Sequence, residues 1–172
     1  MIDASGAICA VVSSAGGKLV GKTRLQKTCF VLEMAGVGFG FSFSYHYYGP
    51  YSDEVSEAAY EAKLDGLVNE VEETAQWGGK YSIYLTASSV VDESEFAAAR
   101  RKIVSIANRA NPVDLEIAAT AAFIRAEEHV QDYWAETRRR KPQKATDGVI
   151  ASAKKLWSEL REVQVPRPLP EI

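Results

Sequence analysis

Leu64-Asp65-Gly66-Leu67-Val68, followed by Lys80-Tyr81-Ser82-Ile83-Tyr84-Leu85-Thr86 with Trp77-Gly78-Gly79 between them, is the stretch that decides the fold. Gly66 ends a helix, because glycine adopts the left-handed conformation at a helix C-terminus at little cost. Leu67 to Glu73 and Lys80 to Thr86 read as two strands, and Trp77-Gly78-Gly79 supplies the turn of a hairpin. The piece is therefore a helix running directly into a two-stranded ribbon.

Reading upstream, the helix that ends at Gly66 begins after Ser52, a good N-cap, and Asp53 and Glu54 suit its positive end. Phe41, Phe43, Tyr45 and Tyr47 alternate with Ser42, Ser44, His46 and Tyr48, a period of two that predicts a strand with the four aromatics in the core. Gly49-Pro50 is expected to break it, since proline cannot donate to a ladder. Asp3 to Ser14 reads as a first helix, closed by Gly16-Gly17. A second runs from an N-cap at Thr23 to about Met34, with Leu25, Cys29 and Leu32 on one stripe. Downstream, helices are expected over about 93–108, 113–127, 130–138 and 147–162, and 166–172 is a proline-rich extended tail.

The order helix, helix, strand, helix, hairpin is that of a winged helix. The fold class read from the sequence is mainly α with a small β component: a winged-helix-like domain over 1–88, a helical region over 89–165 packed on it, and the tail. Thr23-Arg24-Leu25-Gln26-Lys27, with Tyr45-His46-Tyr47-Tyr48-Gly49-Pro50-Tyr51-Ser52, resembles the YwgA-like family of bacterial and archaeal proteins. More distantly it resembles the Panacea/SocA-type antitoxin domains, which share a helix with Leu-Gln-Lys and a later Tyr-Gly-Pro. Asp114 to Thr120 and Lys141-Pro142-x-Lys144 are similar to the helical half of the YwgA group. The resemblance implies a fold more firmly than an activity.

Composition narrows the function classes. The 172 residues carry a net charge of -3, with -4 over 1–88 and +1 over 89–172, so neither half has the strong basic balance of a dedicated nucleic-acid binder. The helix after Ser52 sits where a helix-turn-helix protein enters the major groove. It carries Asp53, Glu54, Glu57, Glu61 and Asp65 against Lys63 alone, and a polyanion repels such a face. No stretch approaches the length of a membrane span and no leader pattern is visible, so a cytoplasmic protein is expected. Cys9 and Cys29 lie among apolar neighbours and are expected to be reduced and buried.

Gly16-Gly17-Lys18-Leu19-Val20-Gly21-Lys22-Thr23 matches the phosphate-loop string, which would make Lys22 and Thr23 nucleotide-binding. That chemistry needs a parallel sheet, and the chain offers mostly helices and one hairpin. His46, His129 and the two cysteines lack metal-ligand spacing, and no cofactor is expected. The leading expectation is a non-enzymatic regulatory or adaptor protein that binds another protein, with a second copy of itself as one candidate. It would use Lys22, Arg24 and Lys27 on the second helix and Tyr48 and Tyr51 in the Gly-Pro turn. The alternatives are a DNA-binding regulator, which would use Lys22, Arg24 and Lys27 with the run Arg138-Arg139-Arg140-Lys141, and a phosphate-loop protein.

Overall fold

A computed structural model describes residues 1–88 and 90–172. The chain is mainly α with a small β component. Its elements, in order, are α1 (Ala4–Ser14), β1 (Lys18–Val20), α2 (Lys22–Met34), β2 (Ser44–His46), β3 (Gly49–Tyr51), α3 (Asp53–Leu64), β4 (Val68–Thr74), β5 (Lys80–Thr86), α4 (Ala97–Arg109), α5 (Pro112–Ala126), α6 (Tyr133–Arg140) and α7 (Asp147–Arg161).

Local chemistry explains most boundaries. Asp3, Ser52, Asn111, Asp132 and Thr146 each accept a backbone N–H at the start of a helix, which satisfies a donor the helix leaves open. Pro112 occupies the first turn of α5, where its missing N–H is harmless. α2 starts one residue before Thr23, and Gly21, at φ 99°, is its N-cap.

The sheet order is β1-β5-β4, all antiparallel, with Leu19 opposite Tyr84 and Val71 opposite Ile83. Between α2 and α3 a second, two-stranded ribbon corrects the predicted single strand. Only Ser44–His46 is extended and paired, Tyr47-Tyr48 form its turn, and Pro50 pairs with Tyr45 inside β3 instead of ending the ribbon. A two-stranded ribbon has only edge strands, where a proline without an N–H is tolerated. Phe41, Phe43 and Tyr45 do pack on the core, but Tyr47, at the turn, is 95% exposed.

α2 lies at the centre. It packs against α3, α4, α5 and β3, and its residues from Arg24 to Leu32 are all buried. Ile8, Leu32, Val55, Ile103, Ile117 and Trp157 belong to one continuous apolar core, drawn from both halves of the chain. The tail is extended but docked: the backbone N–H of Arg167 donates to Ala35 O (3.1 Å), and Leu169 is buried.

Candidate functional site

The buried position of α2 turns its polar residues inward. Gln26 and Ser52 exchange two hydrogen bonds: the Ser52 N–H donates to Gln26 Oε1, and Gln26 Nε2 donates to Ser52 O, each at 2.9 Å. The side-chain amide thus acts as a missing strand neighbour for the residue that caps α3. Next to it, Lys27 Nζ donates to Pro50 O at 2.7 Å. Gly49, at φ 85°, sits so close to Thr120 that a Cβ would collide with its Oγ1. Leu-Gln-Lys and Tyr-Gly-Pro-Tyr-Ser are two sides of one contact.

The contact extends into the C-terminal half. Glu116 on α5 is 2% exposed and accepts from Lys141 Nζ (3.2 Å) and Lys144 Nζ (2.8 Å). Lys141 also donates to Tyr47 O, and the Tyr48 ring lies over Lys144 Nζ at 4.9 Å. Lys27, 1% exposed, completes a cluster of three lysine side chains around one carboxylate. Burial pulls the Lys27 amine down to about 7. Glu116 opposes that shift, and Lys141 and Lys144 reinforce it. The Thr28 and Thr120 hydroxyls, both buried, have no partner among the described residues.

Lys144 and Tyr48 also face outward, onto a groove of about 860 Å³ between the tip of the β4–β5 hairpin and the N-terminus of α2. Trp77 (83% exposed) and Tyr81 come from the hairpin, and Lys22, Thr23 and Val20 from the β1–α2 junction. Lys80 lines it too, paired with Glu72 at 3.1 Å. The first turn of α2 has no side-chain cap, so its amide donors add positive potential at the groove wall.

This geometry sorts the residues expected from the sequence. Lys22, Thr23 and Tyr48 line the groove. Arg24 and Lys27, expected on a basic surface, are turned inward, Lys27 fully and Arg24 with only an edge on the groove. Lys27 is held by Pro50 O, and Arg24 donates from Nη1 to the carbonyls of Ala107 (2.7 Å), Asn108 (2.9 Å) and Ala110 (2.7 Å) at the end of α4. Tyr51 is half-buried, its hydroxyl hydrogen-bonded to Ser56 Oγ (2.6 Å). The basic run is spent within the chain: Arg138 pairs with Asp147, Arg139 with Glu136, Arg140 with Glu128 and Glu136, and Lys141 is buried against Glu116. The outward face of α3 keeps Glu54, Glu57 and Glu61 exposed, as read from the sequence.

The phosphate-loop string has a different architecture. α1, not a strand, precedes it, and Lys18 to Val20 pair with β5. The N–H of Gly17 donates to Val12 O and that of Gly21 to Ser82 O. Sequence reading missed Glu116, Trp77, Lys80 and Tyr81 as site residues. The available signals were an acid among the apolar residues of α5 and an aromatic at a hairpin tip.

Among the described residues no group of His, Cys, Asp and Glu could hold a metal ion, and no helix is long and apolar enough to cross a membrane. No protein-family model matches the chain, and a search of curated proteins finds no match.

Proposed function

We propose that this chain is a winged-helix-like regulatory or adaptor protein that acts by binding another protein, and that the groove beside the β4–β5 hairpin is its binding surface. The observation that carries this reading is the pair of exposed aromatics, Trp77 and Tyr48, held on two different elements around a single basic groove. Aromatic side chains on a rigid frame are the usual energetic anchors of protein interfaces. The element order, with sheet order β1-β5-β4, supports the winged-helix description. Duplex DNA is the poorer fit. It would need cations that are buried (Arg24, Lys27, Lys141) or already paired (Arg138, Arg139, Arg140), and it would meet the acidic face of α3.

The test is site-specific photo-crosslinking in cells. A photoreactive phenylalanine analogue replaces Trp77 or Tyr48, and the same analogue at Leu64, exposed on the far end of α3, is the control. Capture of the same protein from both groove positions, and not from Leu64, is the expected result. Capture of nucleic acid, or identical products from all three positions, refutes the reading.

A further inference from the structure

The buried cluster is unbalanced. The ion pairs that Lys141 and Lys144 make both go to Glu116, and among the described residues Lys27 has only the Pro50 carbonyl as an acceptor. The Lys141 and Lys144 ammonium groups share one carboxylate, with the Lys27 amine beside them, in a region of low polarity where Coulomb terms are strong and a surplus charge is costly. The surplus is not sealed in. Lys144 is 39% exposed at its side chain and reaches the groove together with Tyr48, so an anion can approach from that side. The rest of the groove asks for a different chemistry. Trp77, Tyr81 and Val20 offer exposed apolar surface, and the Lys80–Glu72 pair on the hairpin is already neutralised.

Taking the protein-binding reading of the groove as given, we propose that its occupant is an extended acidic segment of the partner. A carboxylate of that segment lies at the Lys144–Tyr48 end, where it offsets the surplus charge of Lys141 and Lys144 over Glu116, and an aromatic or large aliphatic side chain packs against Trp77 and Tyr81. A nucleic acid strand is the less favoured occupant: it carries a charge at every nucleotide, and the lysines that line the groove, Lys22, Lys80 and Lys144, are each already paired, with Glu70, Glu72 and Glu116.

The experiment is selection of a random-peptide display library on the immobilised full chain, followed by affinity measurement on the enriched peptides. Enrichment of Asp or Glu within a few residues of Phe, Trp, Tyr or Leu is expected. Lys144→Gln and Trp77→Ala should each weaken these peptides by about tenfold or more. Both side chains are at least partly exposed, and circular dichroism of the variants checks that the fold is kept. Enrichment of basic or uncharged peptides, no enrichment at all, or acidic peptides indifferent to both variants overturns the inference. A homopolymeric single-stranded oligonucleotide that binds more tightly than the selected peptides also overturns it. If crosslinking captures a protein while the selection yields no acidic motif, the peptide inference fails alone. If crosslinking captures nucleic acid, both fail.

Discussion

Lys27 shows how one residue can be misjudged from its type. Its amine is held by Pro50 O and surrounded by Glu116, Lys141 and Lys144, and burial brings its pKa from 10.5 to about 7. Between those values the unfolded chain carries a proton that the folded chain lacks. Stability therefore rises with pH across that window, and the burial penalty is fully present below it. Urea unfolding from about pH 7 to about pH 10 should show the native protein gaining stability relative to Lys27→Met, which has nothing to titrate at that site. Parallel curves would mean the amine is not desolvated. Gly49 is a second residue fixed by contact: its φ is 85° and the space for a Cβ is taken by Thr120 Oγ1. Gly49→Ala should cost about 2 kcal/mol or more in unfolding free energy, read from the denaturation midpoint.

Arg24 belongs to the scale of elements, because it joins two of them. Its guanidinium rises from the first turn of α2 and closes the end of α4, taking three carbonyls that the helix leaves open. Arg24→Met would leave the Ala107 carbonyl without its buried donor and the partly buried Asn108 and Ala110 carbonyls unpaired, at a cost of about 2–4 kcal/mol. Arg24→Lys should recover little, since one ammonium cannot reproduce the planar fork. Chemical denaturation of the two variants checks this, and a full rescue by lysine would show that charge alone matters. The same contact marks where sequence reading stops. Caps and turns are local, so the Ser52 start of α3 and the β4–β5 hairpin were legible. Arg24 reaches Ala107 across 83 positions, and no local period records such a bond. The i, i+2 alternation of Phe41, Phe43 and Tyr45 correctly placed three rings on the core. It could not reveal that Tyr47 lies at a two-residue turn, because alternation continues in the letters after the strand has reversed.

For the whole molecule, the tail tests how far the single core extends. A proline-rich C-terminus reads as loose chain, yet here it closes the open side of α7. Leu169 is 3% exposed, Trp157 Nε1 donates to Pro170 O at 2.7 Å, and Arg161 Nε donates to Leu169 O at 3.2 Å. Prolines suit this role because they hold an extended backbone at little entropic cost, leaving carbonyls free to accept. Truncation after Val165 would expose the apolar surface under Leu169, worth about 1.5–3 kcal/mol, and exchange the Trp157–Pro170 hydrogen bond for one to water at about 0.5–1.5 kcal/mol more. For a chain of this size a combined loss of about 3 kcal/mol lowers the melting temperature by roughly 6–12 °C. The emission of Trp157 should shift to the red as its indole meets water. Groove binding should survive at temperatures where the truncated chain is folded, because the tail packs on α7 and the C-terminal end of α2 and lines no part of the groove. An unchanged melting temperature would place the tail outside the cooperative unit. Lost peptide binding in a folded truncated chain would instead tie the groove's shape to α7 through the shared core.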